Sequence, residues 1–75
     1  VENFSFYPNP VKNEINFNNI YSFSTVEIYG VQGNLIVSET ISEGQNSLSI
    51  NLPSGLYFVN FSNDLQNVTK KMVVE

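Results

Sequence analysis

The chain has 75 residues with three lysines, no arginine and a net charge of −4, so it is one small domain whose few basic residues argue against nucleic acids and anionic membrane surfaces as partners. Cysteine and histidine are absent, which excludes disulfides, thiol nucleophiles and imidazole chemistry. Alanine, the best helix former, is also absent, and no apolar run approaches the length of about 18 residues that a membrane-spanning helix needs.

The N-terminal part combines a predicted edge strand, Asn3–Tyr7, with two closely spaced prolines in Tyr7–Val11. Each proline fixes its own φ near −65°, removes a backbone donor and favours an extended residue before it. This stretch is therefore predicted to be a rigid corner that cannot pair as a central strand and that protects an edge from unwanted pairing.

The next three segments alternate between strand and loop patterns. Glu14–Asn18 alternates strictly, with Ile15 and Phe17 predicted to face inward. The aromatic segment Ile20–Ser24 is interpreted as a packed loop. Thr25–Tyr29 alternates again and predicts a strand whose aliphatic residues face the core.

Two turns rich in glycine and asparagine separate the middle strands. Gly30–Asn34 predicts a hairpin connection, in which Gly33 supplies a positive φ. Leu35–Ile41 is the predicted return strand, and Ser42–Asn46 is the next turn. Ser47–Leu52 has the clearest alternation in the chain and is predicted to be a strand throughout.

The C-terminal third contains the most β-prone run. Pro53–Gly55 predicts a tight connection into the strand Leu56–Phe61, which is either central with both faces covered or half-buried with an aromatic outer face. The last predicted strand is Val68–Val74. Its phase is ambiguous, because Lys70 and Lys71 are adjacent and one of them must lie on the apolar side or extend past an edge.

These segments give about seven short strands with turns every 8–12 residues, which predicts an all-β sandwich or small barrel. No nucleophile–base pair or cluster of metal ligands stands out in the sequence. We therefore predict no catalytic residue, no metal site and no cofactor.

Four segments occur in an order that is more specific than any one of them, and the similarity to which they belong covers essentially the whole chain. They are Tyr7-Pro8-Asn9-Pro10, Val26–Tyr29 followed by Gly33, Leu52–Val59, and Lys70–Val74. This ordered set resembles the type A C-terminal sorting domain of the type IX (Por) secretion system of Bacteroidota.

The resemblance implies a small immunoglobulin-like antiparallel β-sandwich at the C-terminus of a secreted protein. Such a domain is not an enzyme. It directs the upstream cargo domain from the periplasm across the outer membrane to the medium or the cell surface. The implied partners are the outer-membrane translocon and a sortase, which commonly removes the domain or exchanges it for a surface anchor. Because the chain begins with Val1, we expect residues 1–75 to be one sorting domain from a longer secreted protein.

The resemblance also assigns motif residues, each of which has a structural interpretation as well. The assigned residues are Tyr7, Pro8, Asn9 and Pro10 in the opening motif, Gly33 in the mid-chain turn, Gly55 and Tyr57 in the Gly-x-Tyr strand, and Lys70, Lys71, Met72, Val73 and Val74 in the terminal strand. The glycines are interpreted as turn residues and Tyr57 as a core residue. Glu75 departs from the basic or apolar residue on which a family member often ends.

Two functional hypotheses follow. In the first, the signal is read at Lys70–Val74, with strand addition to this edge as one mode of recognition, and the proline corner acts indirectly by holding the first strand. In the second, the domain is a carbohydrate-binding or adhesive module with an aromatic platform formed by Tyr21, Phe23 and Tyr29.

Overall fold

The computed structural model describes residues 6–7, 10–17 and 23–75. In these ranges the strands are β1 (Phe6–Tyr7), β2 (Glu14–Phe17), β3 (Thr25–Gly30), β4 (Leu35–Thr40), β5 (Ser47–Ser49), β6 (Gly55–Ser62) and β7 (Asn67–Val74). They form a three-stranded antiparallel sheet in the order β1-β2-β5 and a four-stranded antiparallel sheet in the order β4-β3-β6-β7. The predicted all-β sandwich is confirmed.

The two sheets pack through the alternating side chains that the sequence pattern placed inward. Ile15 and Phe17 of β2 are buried, as predicted, and lie in one core with the inward residues of β3, β6 and β7. The Phe61 ring is the centre of an aromatic cluster, with ring centroids 5.1 Å from Phe17, 6.0 Å from Phe23 and 6.2 Å from Phe6. Such tilted aromatic pairs add to the stabilisation that burial alone provides.

One predicted strand is shorter than its alternation suggests. The ladder of β5 ends at Ser49, although Ile50 is buried and Leu52 packs against the core. Ser49 pairs with Glu14, the first residue of β2, and one further backbone bond runs from the Ile50 N–H to the Asn13 carbonyl at 3.0 Å. Pairing ends there because the partner chain bends at Lys12 and Asn13, whereas the side-chain alternation continues to Leu52.

The hairpin between β3 and β4 confirms the predicted role of Gly33. Its φ is +89°, and its N–H donates to the Gly30 carbonyl at 2.9 Å. Gly30 itself belongs to β3, so the connection is one residue shorter than predicted. The N–H of Gly30 donates to the Asn34 carbonyl, and a Cβ at Gly30 would lie only 2.7 Å from the Asn34 side-chain oxygen.

Several predictions lie wholly or partly outside the described residues. They concern Asn3–Ser5 of the first strand, Pro8 and Asn9 of the proline corner, and residues 18–22, which include most of the predicted packed loop. Phe23, the part of that loop that is described, is buried. The described ranges contain no helix that is long and apolar enough to cross a bilayer.

Candidate functional site

The terminal strand β7 lies at the edge of the four-stranded sheet, where it pairs with β6. Val68, Met72 and Val74 are buried, so the inward phase of the strand is settled. Lys70 shares this phase and is half-buried, whereas Lys71 is exposed on the other face. An edge position permits this arrangement, because a lysine can pack its methylene chain on the sheet and keep its ammonium group in water.

The end of β7 is held by Val11, the last residue of the proline-containing stretch. The Val11 N–H donates to the Val73 carbonyl at 2.8 Å, and the Glu75 N–H donates to the Val11 carbonyl at 2.7 Å. We call these two hydrogen bonds the Val11 clip. Val11 is parallel to β7 at this point, and its side chain is fully buried.

The Val11 clip joins the residue that follows the opening motif to the terminal strand. The sequence predicted an indirect contribution of the opening stretch through the first strand, and this was incomplete, because Val11 contacts the terminal strand itself. Beside the clip, Lys12 and Glu75 form an ion pair of 3.8 Å between two well-exposed side chains. Such a pair contributes little to stability.

Next to the clip, part of the β7 edge has backbone groups that the described part of the chain leaves unpaired. Backbone groups in an antiparallel strand alternate in direction, and those of Val73 and Glu75 point away from β6 toward Val11. The same alternation directs the N–H and C=O groups of Thr69 and Lys71 away from β6. Among the described residues, no backbone group pairs with Thr69 or Lys71 on that side. We call this side of Thr69–Lys71 the open edge.

The open edge is also the basic part of an acidic domain. Two of the three lysines of the chain, Lys70 and Lys71, lie there on opposite faces of the sheet. Neither forms an ion pair with a described residue. Their charges are therefore available to a partner with carboxylate groups.

The remaining assigned residues have structural roles or lie elsewhere. Tyr57 is buried, and its hydroxyl donates to the Pro53 carbonyl at 2.7 Å, which fixes the connection before β6. Gly55 begins β6 with φ +158° and pairs with Val74. Tyr7 belongs to the other sheet, where it pairs with Asn16, and Pro10 is an exposed bend residue.

The proposed sugar platform is wrong at one of its three residues. Phe23 is only 2% exposed and stacks in the core against Phe61, so its face is not accessible to a sugar ring. Tyr21 lies outside the described residues. Tyr29 is partly exposed on the other side of the four-stranded sheet, where its hydroxyl donates to Glu27 Oε1 at 3.1 Å.

The interaction with Glu27 changes the acidity of Tyr29. The hydrogen bond from the phenol holds its proton and raises the pKa of Tyr29 above the ordinary value of 10.0, with smaller contributions from burial and from the charge of Glu27. Tyr29 is therefore a neutral hydrogen-bond donor at physiological pH.

Within the described residues, no group of three or more acidic side chains is arranged to hold a metal ion.

Comparison with known proteins identifies the family. No curated protein matches the chain. The family model described as the secretion system C-terminal sorting domain matches residues 5–75, nearly the whole sequence. Domains of this family direct secreted or cell-surface proteins through the outer membrane and are in general non-catalytic. The match includes all three residues of the Val11 clip and all of β7, and the chain therefore belongs to the type IX secretion system C-terminal sorting domains.

Proposed function

We propose that this chain is the non-catalytic label of a cargo protein joined to its N-terminal side. The translocon component of the type IX system binds the folded label, and the cargo crosses the outer membrane with it. A surface sortase then removes the label or exchanges it for an anchor. The family membership supports this proposal, and the geometry of β7 suggests which part of the label is read.

The observation that carries the proposal is the open edge of β7 at Thr69–Lys71. Within the described ranges, it combines two lysines that have no ionic partner with backbone groups to which no other backbone group is paired. An exposed strand edge is a general site for strand addition, in which backbone bonds give affinity and alternate side chains give specificity. In contrast, Tyr57 and Gly33 of the assigned motifs are explained by packing and turn geometry.

The test is a fusion of residues 1–75 to a secreted reporter with an N-terminal signal peptide, in a host with a type IX system. The expected result is that the fused reporter reaches the medium or the cell surface. The unfused reporter, and the fusion in a translocon-deficient host, are expected to stay in the periplasm. Periplasmic retention of the fusion would contradict the proposal. The mass of the released reporter tests removal by the sortase, because removal predicts loss of the mass of the label.

A further inference from the structure

The outer face of the four-stranded sheet, which is turned away from the three-stranded sheet, has a polar half and an apolar half. Strand register places Leu35 beside Tyr29, Tyr29 beside Phe58, and Phe58 beside Lys71, in one row across all four strands. Leu56 and Val73 pair in the next row toward the same end of the sheet. The apolar half consists of Leu35, Tyr29, Phe58, Leu56 and Val73.

The opposite half of this face is polar. Its rows contain Glu27 beside Asn60 and Thr25 beside Ser62. The amide group of Asn60 donates to Thr69 Oγ1 at 2.8 Å and also to Asn67 Oδ1, so the polar half is already hydrogen-bonded across the β6–β7 boundary. A solvent-facing side of an antiparallel sheet is usually polar, and this half fits that pattern.

The apolar half does not fit the pattern. Leu35, Leu56, Phe58 and Val73 are 37–52% exposed and contiguous across the sheet. Contiguous exposed apolar patches mark interaction sites. The apolar half also adjoins the open edge, because Val73 of the patch lies on β7 and Phe58 lies beside Lys71.

The size of the patch argues against a second copy of this chain as the occupant. The molecule measures 29 × 22 × 22 Å, and the apolar half covers about half of one face. That is well short of the ~800 Å² per partner that a stable interface of standard size buries. A chain with net charge −4 would also repel its copy. A smaller, extended occupant suits both the area and the edge.

The Val11 clip determines the path that such an occupant can take. A strand that pairs with Thr69 and Lys71 cannot continue along β7 in the plane of the sheet, because Val11 already occupies the positions at Val73 and Glu75. The segment must leave the plane at this point. The outer face there is the apolar half, with Phe58 beside Lys71 and Leu56 beside Val73.

We infer that the sorting machinery, on the function proposed above, presents an extended peptide segment with two parts to this surface. An acidic part pairs with the backbone of Thr69 and Lys71 and places carboxylates beside Lys70 and Lys71. An apolar part then crosses the outer face over Phe58 and Val73. The charge complementarity selects the acidic part, and the exposed apolar half selects the second part.

The binding test uses the isotopically labelled 75-residue chain and a synthetic peptide whose first half alternates glutamate with threonine and whose second half alternates valine with serine. Saturable NMR shifts are expected at the amides of Thr69 and Lys71 and at the side chains of Phe58 and Val73, with slowed amide exchange at the open edge. Two control peptides replace the glutamates with lysine or the valines with serine. Each control is expected to bind at least tenfold more weakly.

Variants of the chain separate charge, backbone and apolar contributions. Lys70→Gln/Lys71→Gln is expected to weaken peptide binding at least tenfold, whereas Gln32→Glu/Ser38→Glu, which changes the net charge equally near the opposite edge, leaves it unchanged. Lys71→Pro compared with Lys71→Gln isolates the outward N–H, and circular dichroism verifies that both variants fold. Phe58→Thr is expected to weaken binding, and the matched variant is Leu65→Thr at a residue that is 92% exposed in the turn before β7.

Absence of saturable binding, shifts confined to β4, or full binding by Lys70→Gln/Lys71→Gln would each overturn the inference. An export assay separates this inference from the function on which it rests. If the wild-type label exports the reporter and Lys70→Gln/Lys71→Gln exports it equally well, this inference is wrong and the label function stands. If the wild-type label fails to export, the proposed function fails, whatever the peptide result.

Discussion

The backbone N–H of Val11 donates a hydrogen bond to the carbonyl of Val73, and this bond joins the stretch after the two prolines to the terminal strand. The Glu75 N–H returns a bond to the Val11 carbonyl. The two ends of the sorting domain therefore form one structural unit. A change at Val11 acts on the strand that the proposed function assigns to recognition, although the two are far apart in sequence.

Replacement of Val11 by alanine is expected to lower the free energy of unfolding by about 2 kcal/mol, since it removes two buried methyl groups and leaves a cavity. The reason is that Val11 is fully buried beneath the end of β7. Urea denaturation monitored by circular dichroism measures the change. Val31→Ala is the matched control, because Val31 is 61% exposed in the hairpin turn. Equal stabilities of the two variants would show that Val11 does not anchor the clip.

Phe61→Ala is expected to lose about 4 kcal/mol, within the range for phenylalanine truncations in cores. Phe61 is fully buried and stacks with three other phenylalanine rings from both sides of the sandwich. A small domain has a total stability of only about 5–10 kcal/mol, so the variant should melt far below the wild type in a thermal scan. A loss no larger than that of Phe58→Ala would contradict the central position of Phe61.

Gly33→Ala is expected to destabilise the chain by about 1 kcal/mol, because alanine is strained at a φ of +89°. Gly33→Asn should lose less, since asparagine tolerates the left-handed region better than other residues with a Cβ. Denaturant midpoints of the two variants measure the difference. A Gly33→Asn variant less stable than Gly33→Ala would point to a contact of Gly33 other than its backbone conformation.

The stability of the chain is expected to fall as the pH rises above about 10, and Tyr29 contributes to this fall. The pKa of Tyr29 is raised in the folded state by its hydrogen bond to Glu27. The unfolded state therefore ionises first, so the contribution of Tyr29 is complete below pH 10 and is lost as the pH rises through the folded pKa.

Denaturant midpoints at about pH 9 and about pH 11 test this dependence, because the two values lie on either side of the tyrosine pKa. The denaturant midpoint of Tyr29→Phe should decrease less between these two pH values than that of the wild type. In a second experiment, Glu27→Gln should lower the pKa of Tyr29, measured by NMR of its ring carbon. An unchanged pKa in Glu27→Gln would contradict the assignment to the hydrogen bond.

Much of the fold could be predicted from the sequence, because local alternation and turn chemistry determine it. The inward positions of Ile15 and Phe17 and the positive φ of Gly33 follow from period-two patterning and from the conformational freedom of glycine. The length of β5 could not be predicted in this way, since a ladder ends where its partner ends, and the bend at Lys12 lies far away in sequence.

The candidate site could be predicted only in part, for a related reason. The adjacent lysines indicated β7 as a candidate site. Which lysine faces inward could not be predicted, because it depends on the pairing of Lys70 with Val59 and of Lys71 with Phe58. The Val11 clip is a contact between distant segments and has no local signal. The apolar half of the outer face does have a local signal in the sequence. Leu56–Val59 is apolar without interruption, and this run allowed an aromatic outer face as one of two interpretations.

The central claim is that the type IX machinery reads the terminal strand of a folded label. Its most direct test is the extracellular fraction of the reporter fused to the chain from which Lys70–Glu75 has been deleted. Loss of a strand also destabilises a small sandwich, so a fusion carrying Val26→Ala, which weakens the core at a buried residue of β3 that does not pair with β7, serves as the control. Limited proteolysis reports whether each label is folded. We predict export for Val26→Ala and periplasmic retention for the deletion while its core remains protected from protease. Export of the deletion at the wild-type level would contradict the claim.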